Sequence, residues 1–413
     1  MRWVVLALVF LAGTLNYIDR QMIAILKPML QGQFGWSDLE YAHLGTIFQF
    51  SAAVAYVGIG ALLDRVGLRR GYTAGVGLWS AACMAHAAAL KLGHFLVARV
   101  VLAAAEAVQT PASMKAIAEW FPVHRQTLAV GIVNTSSNIG AILAPVLVPA
   151  VALAWGWRPA FLLTGGLGFV WLAAWLALPA TPPAPGPHAD AATSPSAEAP
   201  PVPGRDPASR WSNLLRSRAT WGLVVAKSLT DLVWWFLLFW APDFLHRTYH
   251  LDMKQAGLPL AVIYGLAALG AFGGGVLPTA LMRRGWSGNV ARKGSMLLYA
   301  CLITPLPLVL QSHDPWVAVG FIGMALFAHQ GFSTNLFATA VELFRARRVA
   351  SVISLGALSG NFCGMAMLEF TGWVLTHHHT YMPMFAISAT VYLVALMVLH
   401  LLVPDLDRAR LFS

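Results

Sequence analysis

The chain has 413 residues, of which 58% are hydrophobic and 11% charged, against about 45–50% apolar and about 25% charged in soluble domains. That balance does not belong to a water-soluble globule, and at about 20 apolar residues per bilayer span twelve spans fit with little left for a soluble domain. The 27 Lys+Arg against 17 Asp+Glu leave a formal charge of +10, which their placement explains without a nucleic-acid partner.

Met1-Arg2 followed by the apolar run from Trp3 to Leu15 reads as a first span rather than a signal peptide, since no small-residue cleavage site follows and eleven comparable segments come after it. Apolar runs set against polar breaks place helices at 3–29, 39–63, 72–90, 94–120, 125–153 and 158–179 in the first half. The second half continues at 218–247, 254–282, 293–311, 315–342, 347–376 and 381–403. Between them, 179–207 holds ten of the 24 prolines with Ala, Ser and scattered charges, a composition unable to bury a core. The expected fold is therefore all-α and membrane-embedded, with twelve transmembrane helices in two pseudo-symmetric halves: 1–179, a cytoplasmic linker 180–217, and 218–413.

With both termini and the linker on the cytoplasmic side, that side collects 18 basic residues and the opposite side five, namely Lys27, Lys91, Arg158, Arg247 and Lys254. The positive-inside rule then fixes the orientation and accounts for the net charge. Arg20, Arg99, Lys115 and Lys227 are left at membrane depth. The two halves are duplicates: Glu119, Phe121, Arg125 and Asn138 recur 223 residues later as Glu342, Phe344, Arg348 and Asn361, and Arg69-Arg70-Gly71 recurs as Arg292-Lys293-Gly294 at the same offset. Repeated halves with cargo held between them are a transporter architecture.

A charged side chain at mid-bilayer costs about 2.5–3.5 kcal/mol even on the lenient insertion scale, so each one retained is a functional candidate. Asp19 and Arg20 on the first helix project about 100° apart and cannot neutralise each other. Arg99 and Glu106 on the fourth lie seven residues apart, on one face two turns distant. The arrangement expected pairs charges of the first helix with charges of the fourth across a polar cavity. An arginine offers a planar fork matched to a carboxylate, while a carboxyl group holds its proton more tightly when buried and less tightly beside an arginine. Such a set suits an organic anion moved with protons, because cargo and protein carboxylates compete for one guanidinium. Tyr17, Gln49, Asn138, Asn335 and Asn361 add neutral groups able to exchange hydrogen bonds with sugar hydroxyls. Trp235, beside Trp234, offers a stacking face.

Lys227 and Asp231 are spaced to satisfy each other. Glu369 sits near a helix end, where it reaches water easily, and His377-His378-His379 reads as a solvated loop rather than a metal site. Cys83, Cys301 and Cys363 lie in apolar stretches without disulfide or metal spacing, and no phosphate loop or nucleophile elbow is present. No enzyme, metal or cofactor is expected.

The stretch from Gly60 through Asp64-Arg65 to Arg69-Arg70 resembles the signature loop of the major facilitator superfamily, which implies gating roles for Asp64 and Arg65. The second-half counterpart around Gly275, Pro278 and Arg283-Arg284-Gly285 lacks the aspartate. Asn16-Tyr17-Ile18-Asp19-Arg20, with Arg99 and Glu106, resembles the anion:cation symporter branch of that superfamily. The resemblance implies cargo contacts at Tyr17 and Arg20, protonation at Asp19 and Glu106, and Arg99 as the charge partner of Glu106. Lys115 to Pro122 and Lys227 to Phe236 are similar to hexuronate transporters in particular. Antiporters of the superfamily carry a Gly-Pro-x-x-Gly-Gly turn on the fifth helix; here Ala144-Pro145-Val146-Leu147-Val148-Pro149 stands in that place, which speaks for symport.

The expectation is thus a monomeric, multi-pass protein of the bacterial inner membrane that imports a hexuronate such as galacturonate or glucuronate with protons. Its partners are the organic anion, protons and the lipid bilayer. The alternatives are a symporter for another organic anion, an aldonate or aldarate, or an efflux antiporter with an apolar cavity.

Overall fold

A computed structural model describes residues 1–121, 123–178, 214–344 and 346–406; most of the proline-rich stretch between the halves lies outside them. In chain order the first half contains α1 (Arg2–Phe34), α2 (Asp38–Val66), α3 (Leu68–Ala85), α4 (Leu92–Glu106), α5 (Gln109–Trp120), α6 (Val123–Trp155) and α7 (Trp157–Ala177). The second contains α8 (Arg218–Tyr249), α9 (Gly257–Arg283), α10 (Gly288–Ile303), α11 (Pro315–Leu343), α12 (Ala346–His378) and α13 (Met382–Leu402). Among the described residues, eleven helical segments are long and apolar enough to cross a membrane. The twelfth, α3, opens on Arg69-Arg70 and packs between α4 and α7.

Two departures from the expected helices have local causes. The segment 94–120 is two helices with a turn at Ala107-Val108. Pro111 has no N–H for the carbonyl of Ala107, so the ladder breaks there and leaves Glu106 as the last residue of α4. The segment 293–311 likewise ends in a 3-10 turn, Leu306–Gln311, entered through Pro305.

The duplication is carried by packing. In the first half α1 lies against α6 and α3 against α7; in the second, α8 lies against α12 and α10 against α13. Non-equivalent members of the repeated basic pair do a similar job in the two halves. Arg69 donates to the carbonyls of Leu176 (2.6 Å) and Leu178 (2.5 Å) at the end of α7, and Lys293 to those of Val403 (2.6 Å) and Pro404 (2.8 Å) beyond α13. Each cation thereby satisfies carbonyls that a helix end leaves without partners.

Small residues let the helices close up. A Cβ on Gly140 of α6 would stand 2.5 Å from the carbonyl oxygen of Thr14 in α1, and one on Gly270 of α9 would stand 2.0 Å from that of Phe327 in α11. Of Gly273-Gly274-Gly275, Gly274 makes such a contact, against the carbonyl of Gly331 at 2.7 Å, whereas Gly275 faces open space.

The hydrogen bonds and ion pairs that cross between the halves gather at the end where α1 finishes at Phe34 and α8 at Tyr249. There Tyr41 of α2 donates to the carbonyl of Phe239 in α8 (2.8 Å), the Thr376 hydroxyl of α12 accepts from the N–H of Leu39 (3.1 Å), and His43 meets Glu369 (2.9 Å).

Candidate functional site

Arg20, midway along α1, meets Glu106 at the end of α4. Arg20 Nη2 lies 3.2 Å from Glu106 Oε2 and 3.4 Å from Asn16 Oδ1. Three rings surround its guanidinium carbon: Tyr17 at 5.1 Å, Phe48 of α2 at 5.2 Å and Trp235 of α8 at 5.9 Å. Trp235 belongs to the other half, so the two halves share this spot.

Arg99 is 0% exposed. Its guanidinium lies on the face of Phe48, 4.3 Å from the ring centroid, and Nε donates to the carbonyl of Leu44 at 3.5 Å. Among the described residues neither Nη1 nor Nη2 has a hydrogen-bond partner. No hydrogen bond joins Arg99 to Glu106 directly, although the Glu106 charge acts on it: Glu106, ending α4 at the Pro111 break, turns one oxygen to Arg20 and leaves Oε1 without a hydrogen bond among the described residues. Phe48 backs both arginines, so the cationic planes share one aromatic support.

Asp19 leaves α1 in another direction. It is buried against α3, where Cys83 Sγ donates to Oδ1 at 3.4 Å and also contacts the Thr164 hydroxyl of α7 at 3.3 Å. Gln49 is buried one residue beyond Phe48, with Nε2 unpartnered, as is Nδ2 of Asn16. Asn138 is half-buried on α6 and Asn361 buried on α12.

Asn335 is placed differently. Both its amide hydrogens go to backbone carbonyls, those of Gly274 and Gly331, each at 2.9 Å. It ties α11 to α9 with both donors, while its buried Oδ1, without a partner among the described residues, is left to accept from a guest. Trp234, next to Trp235 in sequence, stacks on His329 at 5.2 Å, and Lys227 pairs with Asp231 one turn along α8. Asp64 is held by Lys115 at 2.8 Å on an exposed face, and Arg65 is exposed.

A second charged cluster was not anticipated from the sequence, which placed Lys27 near the outer end of the first helix without a partner. Lys27 lies within α1, its side chain 0% exposed, 2.9 Å from Asp38 Oδ1 and 2.8 Å from Asp243 Oδ1. Arg247 joins both carboxylates, Asp38 through Nη2 and Asp243 through Nε. Two signals pointed there: Lys27 follows Arg20 by two helical turns, and Asp243 and Arg247 are spaced i, i+4.

Two six-helix halves enclosing buried ionic groups define a multi-pass membrane transporter, and the chain is not an enzyme. The chain belongs to the Major Facilitator Superfamily, whose model matches residues 9–368. The hexuronate transporter of Escherichia coli K12 is similar, 29% identical over 410 residues covering 97% of this chain and 93% of that protein. The galacturonate transporter of Dickeya chrysanthemi is 30% identical over 329 residues, 77% of this chain and 94% of that protein. Among solved structures, a bacterial homolog of the human lysosomal transporter Spinster, inward-facing and unoccupied, matches with a TM-score of 0.73 at 20% identity, covering 99% of this chain and 97% of that one. A D-xylose–proton symporter matches with a TM-score of 0.73 at 14% identity over 98% of both chains. These two likenesses bear on the fold alone.

Proposed function

We propose that the protein is a proton-coupled symporter that imports a hexuronate, galacturonate or glucuronate, by alternating access of its two halves, 1–179 and 218–413. The observation that carries the proposal is Arg99: a fully buried guanidinium with two unpartnered amino groups, next to an Arg20–Glu106 pair. A buried cation without a partner is costly, and a carboxylate can meet it with two parallel hydrogen bonds. The cargo's acid group binds between Arg99 and Arg20. Its hydroxyls are read by Tyr17, Gln49, Asn138 and Asn361, and Trp235 covers a face of the ring. The similarity to transporters of hexuronate and galacturonate supports this choice of cargo.

Proton coupling follows from shared use of Arg20. When Glu106 is ionised it occupies Arg20; when it takes a proton, Arg20 turns to the cargo. Asp19, on the opposite flank of α1, is the second proton site. The closed Phe34/Tyr249 end faces outward, and the Asp64–Arg65 face, bearing both termini and the basic excess, faces the cytoplasm of the bacterial inner membrane. There Asp64, held by Lys115, and Arg65 close the other side as the halves rock. In this scheme the protein works as a monomer.

The test is uptake of labelled galacturonate, glucuronate, galactonate and a neutral hexose into proteoliposomes with the lumen alkaline. Uptake of the two hexuronates above the aldonate, with none of the hexose, is expected. Equal uptake of galactonate would move the assignment to aldonates, and transport of neutral or cationic drugs instead would overturn it.

A further inference from the structure

We infer that Asp231, held by Lys227, is a specificity-determining residue: its carboxylate accepts from a hydroxyl on the edge of the sugar ring remote from the acid group, and its charge turns away a cargo that carries a second carboxylate there. The inference rests on the hexuronate reading and adds which part of the cargo the second half recognises.

Lys227, Asp231 and Trp235 follow one another at intervals of four along α8 and so share a face. That face lies on three glycines of α12 with the same spacing. A Cβ on Gly356 would stand 3.4 Å from Lys227 Cγ, one on Gly360 2.1 Å from Asp231 Oδ2, and one on Gly364 2.3 Å from Trp235 Cδ1. Side chains at these glycines would fill the room that the ammonium stem, the carboxylate and the indole occupy. The same face looks toward the other half. The Trp235 ring lies 5.9 Å from the guanidinium carbon of Arg20, and the Asp231 charge acts on the Tyr17 hydroxyl of α1. Asp231 is one helical turn from Trp235, about 6 Å along the axis, a step comparable with the width of a sugar ring.

Asp231 gives Oδ1 to the Lys227 ammonium, while Oδ2 takes no hydrogen bond among the described residues. The two side chains keep 15% and 9% exposure for Lys227 and Asp231, so a guest can reach them. An ionised carboxylate only accepts; Oδ2 therefore suits an O–H group and repels another carboxylate. With the acid group of the cargo on Arg99 and Arg20, and its ring against Trp235, the remote edge falls to Asp231. The two cation–carboxylate pairs of the site thus differ in use. Arg20 exchanges Glu106 for the cargo's acid group, whereas Lys227 keeps Asp231 and holds it ionised for a hydroxyl.

The test is a cycle between protein and cargo, read by calorimetry on the full chain in detergent. The ligands are galacturonate, its 2-deoxy analogue, which lacks the hydroxyl across the ring from the carbon bearing the acid group, and galactarate, whose second carboxylate lies at the remote end. The unaltered protein is expected to bind galacturonate about 10–100-fold more tightly than the 2-deoxy analogue, as for a hydrogen bond to a charged group, and more tightly than galactarate. In D231N the advantage of the hydroxyl is expected to shrink to about fivefold or less, because protein and ligand have lost the same contact. Galactarate, met there by an unopposed Lys227, is expected to bind more tightly than galacturonate, and D231E is expected to restore the original order. A pair that only fastened α8 to α12 would move all three affinities together, so a uniform loss in D231N would overturn the inference. So would galactarate bound as tightly as galacturonate by the unaltered protein. Should D231N fail to fold, K227M/D231N, which removes both charges and strands neither, decides: discrimination against the 2-deoxy analogue must be lost, and its full retention would overturn the inference. Absence of uronate binding by the unaltered protein would overturn the cargo reading and this inference with it, whereas galacturonate binding with ligand discrimination indifferent to Asp231 would overturn this inference alone.

Discussion

Arg99 and Arg20 share an aromatic support but differ in what they touch. Arg20 has its carboxylate in Glu106 at 3.2 Å, while Arg99 has only the carbonyl of Leu44 for Nε. Arg99 is therefore the member of the site with most to gain from an acidic guest. Arg99→Lys keeps the positive charge but loses the planar fork. With a charge-assisted hydrogen bond worth about 1.5–3 kcal/mol, hexuronate affinity measured by calorimetry is expected to fall about 10–100-fold while the protein stays folded. Unaltered affinity would remove Arg99 from the binding site. The ionic quartet at depth was legible because charges in apolar helices are few, and each had to find a partner. Which partner each one found was not legible, since that depends on where Pro111 ends α4 and how it aims Glu106. Asn335 shows the same limit from the other side: its type suits a sugar hydroxyl, yet the approach of α9 to α11 assigns both its hydrogens to backbone and leaves only Oδ1 to accept from a guest.

Helix pairs in this molecule are held by close approach at glycines more than by side-chain glue. Gly270 is the tightest approach to backbone, with the Phe327 carbonyl where a Cβ would go. Gly270→Ala must push α9 from α11 or distort one of them, and overpacking of this kind costs about 1–3 kcal/mol. A lowered midpoint of thermal unfolding in detergent is expected. Gly265→Ala on the same helix, with nothing within 4 Å of the added atom, is expected to leave the midpoint unchanged or slightly raised, as Ala favours helix over Gly. Equal losses at both positions would show that the close approach at Gly270 is not responsible. At this scale the apolar runs located nearly every helix, because a bilayer demands their length and composition. They did not reveal the break after Glu106 or the full extent of α1, which runs through Lys27 and Pro28 to Phe34. The partners of Lys27 were not legible either, since its two neutralising carboxylates come from α2 and α8.

The whole molecule is two related bundles that touch most intimately at one end. The repeat at an offset of 223 residues anticipated this plan, since a duplicated chain buries two copies of the same helix contacts. The contacts between the copies have no counterpart in the repeat and had to be seen in three dimensions: Tyr41 on Phe239, Lys27 among Asp38 and Asp243, Trp235 over Arg20. In the proposed cycle the halves rock about the shared site while Glu106 exchanges Arg20 for a proton. The most direct check is the pH inside proteoliposomes holding an entrapped indicator, with equal pH on both sides at the start and galacturonate then added outside. The account predicts acidification of the lumen as the sugar acid enters. With Glu106→Gln it predicts no accumulation against a gradient, while one-for-one exchange of labelled for unlabelled sugar acid continues. Entry of galacturonate with no proton flux, or proton-driven accumulation by Glu106→Gln equal to that of the unaltered protein, would contradict it.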